Sequence, residues 1–246
     1  MKILLPPSET KRPGGRGRPL ELASLALPVL TPQRESVTDA LVSLAEDPAE
    51  AARVLKLSDR QRSDIDHNRT LRTSPTMPAV DRYTGVLYDA LDAAGMDRTP
   101  RRWLGDHVLI HSAPFGPVGA LDAVPAYRLA AGTSLPGLPP LRRIWADAVQ
   151  AALDGAVFVL DLRSEAYVSL GPVPPSVRSA YVRVVTETGR ALNHFNKRAK
   201  GELVRALALS RPRVRTPSAL LAWAESEGVL LRRGAEEGVL ELVVSE

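Results

Sequence analysis

The first eleven residues, Met1-Lys-Ile-Leu-Leu-Pro-Pro-Ser-Glu-Thr-Lys11, constrain the fold more than any other stretch of the chain. A short apolar strand runs directly into Pro6-Pro7, whose rings fix φ near −65° and end any strand ladder. A strand that begins at residue 2 is expected to be a central or early element of a sheet. Ser8, Glu9, Thr10 and Lys11 follow it. Hydroxyls and an amine held on a stiff turn at the end of a buried strand mark the edge of a site. An ordinary surface loop accounts for the same residues, so the reading needs companions elsewhere in the chain.

Two further strands end in polar loops. Val108-Leu109-Ile110 runs into the turn His111-Ser112-Ala113-Pro114-Phe115-Gly116. Val157-Phe158-Val159-Leu160 is the clearest buried strand, uninterrupted and rich in β-branched residues, and it ends in Asp161-Leu162-Arg163-Ser164-Glu165-Ala166-Tyr167. If the three strands are parallel neighbours, their polar ends converge outside the carboxyl edge of the sheet, where sites in such sheets form. The convergent set is Ser8, Lys11, Ser112, Asp161, Ser164, Glu165 and Tyr167. Tyr127 and Arg128 join it from an extended stretch over 126–130, and Lys197 and Lys200 from a basic helix over 196–209. The cations suit phosphate or carboxylate, and a desolvated Glu165 or Asp161 suits general base work. Each residue also has a plain structural role open to it: a turn cap, a core aromatic, an ion pair.

The remaining elements place these strands in a larger body. Ser36-x-x-Asp39 and Asp47-Pro48-Ala49-Glu50 start two helices within 36–57, and Ser58-x-x-Gln61 starts a third. Such short helices are compatible with helix-hairpin-helix modules, which contact phosphates through amides at helix ends, although the usual glycine-bearing hairpin is missing. Further helices are expected from Val86 to Gly95, over Leu141–Leu153, and after the Thr216-Pro217 cap. Residues 180–186 alternate as a half-exposed strand, and 229–232 with 239–244 form a terminal hairpin. Helices and strands intermix irregularly, so the expected class is α+β (mixed α/β), one compact domain over 1–246. Residues 12–20 form a basic loop of glycine and proline, mobile when nothing is bound. It lacks the spacing and the Gly-Lys-Ser/Thr of a phosphate loop, which excludes a nucleoside triphosphatase of that type.

Composition narrows the function classes. With 246 residues, 44% hydrophobic and 24% charged, the chain buries a substantial core. It has no cysteine, hence no disulfide, thiol nucleophile or zinc–thiolate site. No apolar run approaches the roughly 20 residues of a membrane span, and the short apolar stretch before Pro6 is not a secretory signal; a cytoplasmic location is expected. The net charge of +4, from 32 Lys+Arg against 28 Asp+Glu, is mild. Its distribution is more informative: one cluster is Lys11, Arg12, Arg16 and Arg18, and another runs from Lys197 through Arg198, Lys200 and Arg205 to Arg211, Arg213 and Arg215. Among His67, His107, His111 and His194 no pair has helical metal spacing. His107 and His111 lie about 13 Å apart if the segment between them is extended at about 3.3 Å per residue. Neither a metal nor a cofactor is expected.

The same loops carry a family resemblance. Pro6-Pro7-Ser8-Glu9-Thr10-Lys11 is similar to the opening Ser-Pro-x-Lys-Thr turn of the YaaA family of bacterial peroxide-stress proteins, with the lysine displaced. Tyr83-Thr84-Gly85 resembles that family's Tyr-x-Gly. His111-Ser112-Ala113-Pro114-Phe115-Gly116 resembles its Leu-Ser-Gly-Leu-Tyr-Gly, with Phe115 in place of tyrosine. Leu121-Asp122, Tyr127-Arg128-Leu129-x-x-Gly132, Trp145, Ser164-x-x-Tyr167 and Lys197-Arg198-Ala199-Lys200-Gly201 follow in the family's order, with Ala166 in the place of a glutamate. The match extends over nearly the whole chain. It implies a single α/β domain with an unusual mixed fold, a basic cleft and a helix-hairpin-helix-like element. It also implies double-stranded DNA binding and protection against hydrogen peroxide through limiting free iron.

Two functions are therefore expected in competition. In the first, Ser8, Lys11, Arg12, Arg16, Arg18, Tyr127, Arg128, Ser164, Lys197, Arg198 and Lys200 bind the phosphates of double-stranded DNA with little sequence preference. In the second, an enzyme acts on a small nucleotide, nucleoside or nucleobase, with Glu165 as acid or base and Tyr167 and Ser112 beside it. A deep pocket with a perturbed Glu165 favours the enzyme; an open groove favours the first.

Overall fold

The structure is a computed structural model of the whole chain, described here for residues 1–188 and 196–244. His194 lies outside the described residues. In chain order the strands are β1 (Lys2–Leu5), β2 (Met77–Pro78), β3 (Val108–Ser112), β4 (Gly116–Gly119), β5 (Ala123–Val124), β6 (Val159–Asp161), β7 (Ser179–Thr186), β8 (Leu231–Arg233) and β9 (Val239–Val244). The helices are α1 (Thr31–Leu44), α2 (Pro48–Val54), α3 (Asp64–Arg69), α4 (Ala79–Arg82), α5 (Val86–Leu91), α6 (Arg98–His107), α7 (Leu141–Leu153), α8 (Glu165–Leu170), α9 (Asn196–Ser210) and α10 (Pro217–Ser226).

Seven strands form one mixed sheet in the order β4-β3-β1-β6-β7-β9-β8. The N-terminal strand is central, as its apolar run requires. β1 pairs in parallel with β3 (Ile3 opposite Val108) and with β6 (Ile3 opposite Leu160), and β6 and β7 are parallel too. β3 is buried at five consecutive positions, which is how a strand covered on both faces reads. Two helix groups supply the cover: α5, α6 and α9, which reach β7 and β4, and α1, α7 and α8. The result is a single compact mixed α/β domain.

Several local signals act as their chemistry dictates. Asp47 caps α2 by accepting from the amides of Ala49 and Glu50 at 3.0 and 3.1 Å, and Thr216 caps α10 through the Ala219 amide. β8 and β9 form the expected terminal hairpin. Other boundaries move. α1 starts at Thr31 rather than near Ser36, set by the Thr31-Pro32 entry. Ser58 and Gln61 start only a three-residue helical turn. The expected helix to Gly95 breaks at Asp92, which adopts φ 46°. The strand read over 157–160 begins only at Val159, leaving out Phe158 and Val157, which is 58% exposed, and gains Asp161. α6 and α8 have no counterpart in the sequence reading. The turn after β3 is a tight hairpin that returns as β4; Gly116 takes φ +60°, and a side chain there would meet the Trp145 ring at 2.8 Å.

Candidate functional site

Because β3, β1 and β6 are parallel and adjacent, Ser112, Pro6 and Leu162 leave the sheet at the same edge. The expected convergence therefore occurs. Two side-chain clusters stand along that edge.

The first is built around Lys11. Tyr88 donates its hydroxyl to the Pro6 carbonyl at 2.7 Å and fixes the chain as it leaves β1. The segment then turns back, and Lys11 pairs with Tyr83. The Lys11 ammonium donates to the carbonyls of Ser8 and Glu9 at 3.1 and 3.3 Å and lies 4.1 Å from the centre of the Tyr127 ring and 5.7 Å from that of Tyr83. The two phenols are joined by a 2.8 Å hydrogen bond. Burial, aided by the charge of Arg128, lowers the Lys11 pKa to about 7; the aromatic faces favour its charged form. Burial raises the pKa of Tyr83, Tyr88 and Tyr127. Asn68 holds the Arg128 backbone from both sides, at 2.8 and 2.7 Å, and the Arg128 guanidinium reaches Glu9 at 3.6 Å. Ser8, Thr10 and Thr84 form a chain of hydroxyls on the outer side.

The second cluster is centred on Arg163, which is fully buried. It forms a bidentate pair with Asp161, at 2.9 and 2.6 Å, and donates to the Gly171 carbonyl at 2.7 Å. It also donates to the Tyr167 carbonyl at 3.2 Å and lies 2.7 Å from His111 Nδ1. A guanidinium only donates, so Nδ1 accepts and the His111 proton sits on Nε2. That atom is buried and has no hydrogen-bond partner. Burial and then the charge of Arg163 hold His111 well below its ordinary pKa, so the ring is neutral. Its face meets Tyr167 at 5.9 Å. Lys200 is 4% exposed, its ammonium 5.5 Å from the Tyr181 ring; burial lowers its pKa to about 8, opposed by Asp161.

The other expected site residues are spread more widely. Ser112 closes the β3–β4 hairpin, donating to the Gly116 carbonyl at 3.2 Å and accepting from the Phe115 amide at 3.1 Å. Ser164 and Glu165 are exposed at the start of α8, and Tyr167 is half-buried behind them, its pKa raised by burial. Lys197 and Arg198 are exposed on the first turn of α9, where Arg198 pairs with Glu202 at 2.8 Å. Arg12, Arg16 and Arg18 are exposed, but their backbone is tied down. Arg12 bonds to Arg82 through its amide, the amides of Arg16 and Gly17 donate to Thr76, and Thr76 donates to the Arg18 carbonyl at 2.7 Å. Arg12 and Arg16 line a groove of about 740 Å³ with Thr76, Asp81 and Arg101.

Sequence reasoning passed over His111 and Arg163 as site residues, and Tyr83 and Tyr88 as partners of Lys11. The signal for the tyrosines was available: Tyr83 and Tyr88 flank the glycine turn at Gly85. No comparable signal marked Arg163, one arginine among many. Among the described residues no group of three His, Asp or Glu side chains is placed to hold a metal ion, and no helix is long and apolar enough to cross a membrane.

Comparison with known proteins adds the following. Residues 1–229 match the family model described as peroxide stress protein YaaA. A UPF0246 protein of Corynebacterium glutamicum is 42% identical over 99% of this chain and 100% of its own length. A UPF0246 protein of Corynebacterium efficiens is 44% identical over the same shares. One of Streptomyces coelicolor is 44% identical over 84% of this chain and 82% of its own.

Proposed function

The chain belongs to the YaaA family of peroxide stress proteins, and from that premise we propose that it acts in the peroxide response by binding double-stranded DNA through phosphate contacts of its 12–20 loop and of the start of α9. The observation that carries this reading is the 12–20 loop. Its arginines are exposed and enter no ion pair among the described residues, whereas Arg53, Arg69, Arg72, Arg183 and Arg232 are each matched to a carboxylate. Unmatched guanidiniums on a backbone laced to Thr76 and Arg82 suit a phosphate chain. Lys197, exposed in the first turn of α9, adds a further unpaired cation.

In this reading the contact surface has a second arm. A groove of about 710 Å³ is lined by Arg53, Lys56 and Arg128, with Thr133 and Ser134. Lys56 ends α2 at φ 53°, the left-handed geometry a glycine would supply in a helix-hairpin-helix. In this reading α2, the turn at Lys56 and α3 are the helix-hairpin-helix-like element, with Lys56 in the glycine's place. In this reading recognition is of backbone and shape, with little sequence preference.

Arg12→Ala/Arg16→Ala/Arg18→Ala tests this by fluorescence anisotropy with labelled duplexes of unrelated sequence. Affinity falls for all of them by the same factor, at least tenfold at low salt. Unchanged affinity would refute the reading. A second reading, an enzyme acting on a small nucleotide, draws on the Lys11 amine among Tyr83 and Tyr127, a richer set than phosphate binding needs. Displacement of the duplex by one mononucleotide, with its turnover, would favour it.

A further inference from the structure

The basic stretch that begins at Lys197 is one cluster in sequence and two in space. α9 carries Lys197 in its first turn and ends at Ser210. A helix of this length, at about 1.5 Å per residue, sets its ends roughly 22 Å apart. Its start joins the carboxyl edge, where Lys200 faces Tyr181. Its end delivers Arg211-Pro-Arg-Val-Arg215 to the opposite edge. The parallel pairing fixes that edge: His107 precedes β3 and Val157 precedes β6, so both lie at the amino ends of the strands. A groove of about 500 Å³ is lined there by Arg211, Arg213 and Arg215 together with Trp103, His107 and Val157.

The chemistry of this groove is one-sided. All three arginines are exposed, and none has an ion-pair or side-chain hydrogen-bond partner among the described residues. No carboxylate lines the groove. Val214, 4% exposed, pins the segment between Arg213 and Arg215 and turns both outward. The His107 ring stacks on Trp103 at 4.2 Å and 9°, which gives the groove a rigid wall. Three uncompensated guanidiniums on an anchored segment make a local positive field that attracts a polyanion.

We infer that the amino edge is a second phosphate-binding surface, and that one molecule holds two duplex segments at once, one at each end of α9. This rests on the duplex-binding reading above and extends it to bridging. The arginines of the amino edge lie the length of α9 away from Lys197, so a duplex held at the start of α9 leaves them free for another.

The test uses four full-length proteins: wild type, Arg12→Ala/Arg16→Ala/Arg18→Ala, Arg211→Ala/Arg213→Ala/Arg215→Ala, and the two sets combined. Each is bound to an immobilised duplex and challenged with a second, labelled duplex. Wild type captures the second duplex. The amino-edge variant binds the first duplex within about threefold of wild type in solution, but its capture falls at least tenfold. The loop variant keeps a weak, salt-sensitive duplex affinity that the combined variant loses. Undiminished capture by the amino-edge variant would overturn the inference while leaving the proposed function intact. So would altered elution of that variant on a sizing column, since capture would then come from self-association. A loop variant equal to wild type in affinity would instead overturn the reading of the 12–20 loop as a duplex contact. Absence of any duplex binding by wild type would overturn both.

Discussion

Lys11 Nζ lies 4.1 Å from the centre of the Tyr127 ring, and the Tyr127 hydroxyl is bonded to that of Tyr83. The amine is thus enclosed by aromatic faces and two backbone carbonyls, and its pKa falls from 10.5 to about 7, chiefly through burial. Between those two pH values the unfolded chain holds a proton that the folded chain has released. Stability therefore rises with pH across the window, and the penalty is fully present below about pH 7. Lys11→Met removes this dependence. Urea unfolding at pH 7 and at pH 9.5 should show wild type gaining on the variant as pH rises. Parallel behaviour of the two proteins would contradict the assignment.

Arg163 holds Asp161 and His111 from a fully buried position. Arg163→Met leaves the Asp161 carboxylate buried without its cation and His111 Nδ1 without its donor. Breaking a buried pair from one side costs about 3–5 kcal/mol. Chemical denaturation gives the number, and a loss below about 1 kcal/mol would mean that the pair is not the organising element of this edge.

His111 is buried and neutral. An unfolded histidine titrates near pH 6.5, so below that value the unfolded chain binds a proton the folded chain refuses. This term is constant above about pH 6.5, and stability is lost as pH falls beneath it. Replacing His111 with Gln should lower stability at neutral pH yet flatten its slope between pH 6.5 and 5. A slope as steep as that of wild type would show that another group carries the acid sensitivity.

Gly201 brings α9 against α5: a side chain there would stand 2.2 Å from the Leu87 carbonyl oxygen. Gly201→Ala must part the two helices, at about 1–3 kcal/mol, and displaces Lys200, which precedes it. Thermal unfolding checks the cost. A variant as stable as wild type would show that the contact is not close-packed.

The sheet edge was legible because each strand that builds it is a short apolar run abutting polar residues, and Pro6-Pro7 fixes where the first one ends. The family resemblance drew on the same residues. Lys200 was read as a surface cation, although it stands three, four and seven residues before Leu203, Val204 and Leu207, which are all buried. Its place on the apolar stripe was in the periodicity, and its charge obscured it. Arg34, Arg82 and Arg163, all fully buried, could not be told from surface arginines. Arg34 and Arg82 bond to carbonyls of distant segments, such as Phe115 and Pro117 for Arg34 and Val124 for Arg82, and Arg163 reaches His111; these meet only in the fold. α6 was missed because Trp103 and Leu104 are its only buried residues, too few to show a period. The division of the basic stretch between two edges needed the length and direction of α9.

The central claim is that exposed, unpaired arginines of the 12–20 loop neutralise duplex phosphates. The measurement that tests it most directly is the slope of log affinity against log salt for wild type and for the Arg12→Ala/Arg16→Ala/Arg18→Ala variant. Each phosphate contact contributes about 0.9 to that slope, so the variant should be shallower by about 2.7, whatever the sequence of the duplex. Equal slopes, or a wild-type affinity indifferent to salt, would contradict it.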